Sequence, residues 1–189
     1  HYLPFQALIA SQGEIEFLIE RLAIGYAPSA SVWLRLSDPP PVGANDAVLA
    51  LAPRDDDLPG SGYEVRAIAG ILDKEVLTLV GRDATEDALR REAGRSQVLH
   101  LATYGSLNRA NPLFSWLDLA PGVSGDARLE VHEVYGMQLD ARLVVLSACE
   151  TALGAGTQTT APAGDDWVSL TWAFLTAGAD NVVASLWRV

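Results

Sequence analysis

Short apolar runs separated by breaks rich in glycine, proline and aspartate recur along the chain, at 47–52, 76–80, 97–103 and 143–146. They are largely continuous rather than alternating, as expected of strands buried on both faces of a parallel sheet. Between them the period changes. Val65, Ile68, Ala69 and Leu72 fall at helical spacing and predict a helix over 63–72; 84–92 predicts a second, capped by Thr85 or Asp83. A third is expected over 167–177, with Asp165 and Asp166 as its N-cap and first turn, and a short one within RLEVHEVYGM, 128–137. Nearer the start, 16–26 and 31–36 predict strands, a hairpin separated by Pro28, and the prolines at 39–41 make 38–45 a loop. The alternation of strands and helices predicts an α/β fold with helices on both faces of a sheet.

Two of these runs end in chemistry. The run 143–146 stops at Ser147, Ala148 and Cys149, and Gly154 and Gly156 follow soon after, so Cys149 is expected at a strand's carboxyl end. Open α/β sheets place their binding crevices there. A thiol in that position is either a small buried core residue or a nucleophile, and the second requires a neighbouring imidazole or cation to lower its pKa from about 8.5. The run 97–103 ends in Tyr104, Gly105 and Ser106, again a passage from strand to loop. If the two runs are neighbours in a parallel sheet, their tips meet.

The segments QVLHLATYGSL, LVVLSACETALG and TWAFLTAGADNVVASLWRV, together with HYLPFQALI, YAPSASVWLRL, LPGSGYEVRAIAGIL and DATEDALRREAG, resemble the CHAT family. These are caspase-like domains often found beside tetratricopeptide repeats, and the resemblance covers nearly the whole chain. It implies a caspase-like three-layer α/β/α sandwich with a mostly parallel central sheet, as a single domain over 1–189. It also implies a domain shortened at both ends, lacking part of the family's opening segment and a helix after the last strand.

The family's active members pair a cysteine with the second histidine of His-x-x-x-His-Gly. The matching positions here are His100, Tyr104 and Gly105, so Cys149 keeps the nucleophile's place and Tyr104 stands where the base is expected. In a working member the imidazole frees the thiolate and later protonates the leaving amine, while backbone N–H groups hold the oxyanion. A phenol titrates near about 10 and is a poor base at neutral pH. Gly105, with the Cys149 backbone, retains the expected oxyanion site. His100 is a poor substitute, since residues four apart on a strand are separated by about 13 Å at about 3.3 Å per residue; it is expected as a core histidine with a hydrogen-bond partner. His132 carries no spacing that points to the crevice.

The flanking loops offer candidate subsites. Over 106–125, Trp116 is either an apolar wall of a substrate pocket or part of a strand in the alternating LFSWLDLA, the second reading being favoured. The stretch 154–164 is rich in small residues and is not a nucleotide-binding loop, because the lysine is absent. Asp165 and Asp166 place negative charge where a basic residue of a bound peptide would be favoured. Asp55, Asp56 and Asp57 read as a solvated acidic turn, without the further carboxylates of a metal cage.

Composition narrows the function classes. The chain has 189 residues, 49% of them apolar, enough for one substantial core. A net charge of -11 and a pI near 4.5 argue against nucleic acid and anionic membrane. No apolar run approaches the roughly 20 residues of a membrane span, and the first residues carry no basic leader. One cysteine excludes an internal disulfide framework, and a cytoplasmic location is expected. No cofactor motif is present; the expected partners are a protein or peptide substrate and tetratricopeptide-repeat or other domains of a longer protein. Two functions follow: a pseudo-protease that binds a peptide or partner domain, or an active cysteine endopeptidase with a displaced base.

Overall fold

The computed structural model describes residues 5–11, 13, 15–27, 29–36, 47–72, 75–108, 110–148 and 169–185. Two compact units divide the chain, His1–Asp38 and Pro39–Val189. In the first, β1 (Ile9–Ser11) and β2 (Glu16–Phe17) pair antiparallel, and two helices follow, α1 (Leu18–Arg21) and α2 (Ala30–Leu36). The strands expected over 16–26 and 31–36 are therefore corrected to one two-residue strand and two helices. Local caps account for the difference. The Glu20 carboxylate accepts from the Phe17 N–H at 2.7 Å, and the Ser29 hydroxyl accepts from the Val32 N–H at 3.2 Å. Both satisfy donors that a helix start leaves unpaired, so these apolar segments close their hydrogen bonds locally.

In the second unit a five-stranded, fully parallel sheet runs in the order β10-β9-β5-β3-β4. Its strands are β3 (Val48–Ala52), β4 (Val76–Val80), β5 (Val98–Ala102), β9 (Leu143–Ser147) and β10 (Val182–Ala184). Helix α3 (Pro59–Ile71) joins β3 to β4, and α4 (Glu86–Ala93) joins β4 to β5. A three-stranded antiparallel sheet, β6 (Gly105–Ser106), β7 (Trp116–Asp118) and β8 (Arg128–Glu130), lies between β5 and β9 in sequence and leads into the short α5 (Val131–Val134). Helix α6 (Leu170–Ala177) precedes β10.

The continuous apolar runs bury both faces of the sheet because side chains alternate along a strand. Leu49, Leu51, Leu99, Leu101, Val144 and Leu146 form one side of the large core with Leu89 of α4 and Phe174 of α6. The opposite face is lined by Ala50, Ala52 and Ala102, small residues against which Val65 of α3 packs. Helices thus cover both faces, as the α/β/α expectation required.

Helix ends follow from named caps. The Thr85 hydroxyl, one of the two caps expected, accepts from the Ala88 N–H, with Glu86 and Asp87 in the first turn and Arg90 and Arg91 in the last, matching the helix dipole. The cap of α6 is Ser169, whose hydroxyl accepts from Trp172 N–H at 3.4 Å, not the expected Asp165 and Asp166, which lie outside the described residues. A serine one residue before the first helical turn, with extended backbone, meets the orphan N–H directly. The expected loops over 38–45 and 154–164 also lie outside the described residues.

Candidate active site

Strand order fixes where a crevice opens. From β3 the chain crosses to β4 on one side, then returns to β5 on the other, so the order reverses between β3 and β5. At such a switch point the loops leaving adjacent strands diverge and open a cleft at the carboxyl ends. The two loops here are the acidic turn after β3 and the tip of β5 that carries Tyr104. The Tyr104 hydroxyl points across the gap to the Asp57 carbonyl, at 3.5 Å.

The tip of β5 is held from two sides. Thr103, almost wholly buried, donates its backbone N–H to the Ser147 carbonyl on β9 at 3.2 Å and its hydroxyl to the Asp118 carbonyl at 2.8 Å. The Asp118 N–H in turn donates to the Tyr104 carbonyl at 2.9 Å. Gly105 lies opposite Leu117 in an antiparallel pair. Because the bond to Tyr104 falls beside that pair, the alternation of an antiparallel ladder makes Gly105 and Leu117 a non-hydrogen-bonded pair. The Gly105 N–H is therefore turned away from β7, on the outer edge of the small sheet.

Beneath the tips, a carboxylate from α3 reaches the sheet. Glu64 Oε1 is 2.9 Å from His100 Nε2 on β5, and Glu64 Oε2 accepts from the Ser147 hydroxyl on β9 at 3.1 Å. His100 is buried as expected of a core histidine with a partner. Burial pushes its imidazole below the usual histidine value, with the charge and hydrogen bond of Glu64 opposing. Nothing in the sequence pattern singled out Glu64; the signal was its place on α3, one residue before the inward-facing Val65.

The other candidates are dispersed. Ser115, Leu117 and Leu119 are buried while Trp116 takes the opposite face of β7, so the alternation in LFSWLDLA is real and Trp116 is on its outer side. There its indole N–H donates to Asp118 Oδ1 at 2.9 Å, and the Arg128 guanidinium lies 4.5 Å from the ring centroid. His132 is on α5, with Nδ1 3.1 Å from Glu130 Oε2 and its ring 5.3 Å from that of Phe114. In the acidic turn Asp57 pairs with Arg54 and Asp55 with Arg66 at 3.1 Å. Among the described residues no three His, Cys, Asp or Glu side chains group to hold a metal ion. Cys149, Asp165 and Asp166 lie outside the described residues.

With this topology in place, the family comparison is decisive: the profile of the CHAT domain matches residues 1–189. The chain belongs to the CHAT family. A search of curated proteins finds no match.

As a CHAT domain, and so a caspase-like one, the chain has the sheet that the resemblance implied, with the two motif-bearing strands side by side. Ala102 is opposite Ser147 in the parallel pairing of β5 and β9. Tyr104 is two residues past the first and Cys149 two past the second. Among the described residues of this CHAT domain, no helix is long and apolar enough to cross a membrane.

Proposed function

We propose that this CHAT domain is a pseudo-protease, a module that retains the crevice to bind a peptide or a partner domain and no longer cleaves efficiently. One observation carries the reading: Tyr104 occupies the position of the family's catalytic histidine, and its hydroxyl is directed at a backbone carbonyl. An O–H aimed at a carbonyl acts as a donor, which is the opposite of what a general base must do. The engagement of the two described imidazoles supports the same view. His100 is four residues before Tyr104, buried beneath α3 on Glu64, and His132 is on α5 beside Glu130, so neither takes the position that Tyr104 occupies.

In this proposal Cys149 keeps the nucleophile's position, Gly105 and the Cys149 backbone keep the oxyanion site, and Trp116, Asp165 and Asp166 contribute to peptide binding. The acidic pair favours a basic residue in the bound segment. The partner is a peptide or protein in the cytoplasm, or another domain of a longer protein such as tetratricopeptide repeats. No cofactor is required by this chemistry.

The test is peptide cleavage by the wild-type chain and by Tyr104→His, using a library of fluorogenic peptides. The proposal expects negligible turnover in wild type and a gain of at least about a hundredfold on restoring the histidine, the scale of a general base. Efficient wild-type turnover that is lost in Cys149→Ala would establish the competing reading, an active endopeptidase.

A further inference from the structure

Glu64 spans two neighbouring strands of the central sheet from a helix above them. His100 is opposite Val145 in the pairing of β5 with β9, so His100 and Ser147 face the same side of the sheet, the side covered by α3. Both oxygens of the carboxylate are used, Oε1 by His100 at 2.9 Å and Oε2 by Ser147 at 3.1 Å. A carboxylate oxygen only accepts, so each contact fixes a proton. His100 carries one on Nε2, and the Ser147 hydroxyl points to α3.

Packing alone does not call for this residue. The face beneath α3 is built from Ala50, Ala52 and Ala102, and Val65 beside Glu64 fills it with an apolar side chain. Glu64 keeps 39% of its side chain exposed, so it contributes little burial, yet it meets polar groups on the two strands whose tips define the crevice. Ser147 is the last residue of β9, and Thr103 at the end of β5 bonds its carbonyl. The Glu64 contacts therefore join α3, β5 and β9 at Ser147 and at His100, four residues before Tyr104.

We propose that Glu64 is a positioning residue of the crevice: it holds His100 in the Nε2–H tautomer and ties β5 to β9 beneath their tips, keeping the binding surface in shape. This rests on the peptide-binding reading above, while its proton arrangement can be observed without any peptide. Burial lowers the His100 pKa, so at neutral pH the ring holds one proton and the tautomer is a defined property.

The experiment compares the full chain with Glu64→Gln and Glu64→Ala. The readouts are the His100 tautomer by ¹⁵N-edited NMR and the affinity for the tightest wild-type binder in a fluorescein-labelled octapeptide library. Glutamine keeps an acceptor oxygen for His100 and turns its amide N–H to the Ser147 oxygen, so the Nε2–H signature and the affinity should both survive. Alanine should lose the single-tautomer signature and weaken peptide binding by about tenfold or more, the scale expected when a supporting shell is removed. An unchanged tautomer and affinity in Glu64→Ala would overturn the inference, whatever happens to thermal stability. Should Glu64→Ala not fold, Ser147→Ala cuts one arm of the clasp, and unchanged affinity there would overturn it equally. Should wild type bind no octapeptide, the binding reading fails, and the tautomer in Glu64→Ala still decides the role of Glu64.

Discussion

Ala102 and Ser147 face each other across the parallel pairing of β5 and β9, two residues before Tyr104 and Cys149 respectively. Parallel pairing with this register brings the last residues of β5 and β9 to the same end of the sheet. The Tyr104 hydroxyl is directed at the Asp57 carbonyl on the other side of the switch point, at the long limit of a hydrogen bond, 3.5 Å. A hydroxyl directed in this way fits the proposed binding role better than that of a proton shuttle.

Acid should destabilise the fold through His100. Burial holds its folded-state pKa below the ordinary histidine value, against the opposing influence of Glu64, so the unfolded chain binds the proton more readily. The resulting stability is fully present above the ordinary value of about 6.5 and is lost as pH falls from there through the folded-state pKa. Urea unfolding at pH 7.5 and pH 5.5 should show a loss of stability on acidification that shrinks in His100→Gln. An equal loss in both proteins would assign it to other groups.

Gly178 should resist replacement. It ends α6 with φ of 119°, and a Cβ there would lie 2.2 Å from the Leu139 backbone carbonyl oxygen. Backbone cannot yield as a flexible side chain can, and the left-handed conformation adds its own cost. Gly178→Ala is expected to cost about 1–3 kcal/mol, measured by chemical denaturation. A loss below about 0.5 kcal/mol would show that the turn relaxes freely.

Phe174 is fully buried on α6 and joins the large core beneath β5 and β9. Truncation removes its contacts and leaves a void, so Phe174→Ala is expected to cost about 3–5 kcal/mol. Thr85→Ala, which removes one capping bond of α4, should cost about 1 kcal/mol, leaving a clear gap between the two variants in thermal unfolding.

The central sheet was legible in the sequence because its strands are continuous apolar runs of one strand's length bounded by turn residues. The predicted 76–80 run is β4 without change, and 143–146 differs from β9 only by Ser147. The first unit was misread for the same physical reason. Segments such as SVWLRL are apolar and partly β-branched, yet Trp33 and Leu34 remain exposed and, among the described residues, no neighbouring strand supplies ladder bonds, so Ser29 starts a helix instead. Ser29 just before the run was the signal for it. Of the candidate site, the adjacency of the β5 and β9 tips followed from two apolar runs with polar ends. Glu64 did not, because a helix residue reaching two strands depends on sheet order and face, neither of which a linear pattern contains.

The absence of a competent base for Cys149 is the central claim, and the pH dependence of Cys149 alkylation by iodoacetamide tests it most directly, in wild type beside Tyr104→His. The account predicts an apparent thiol pKa near or above about 8.5 in wild type and a clear drop when histidine is restored. A wild-type thiol that alkylates with an apparent pKa well below about 8.5 would contradict it, because some other group would then be activating the nucleophile.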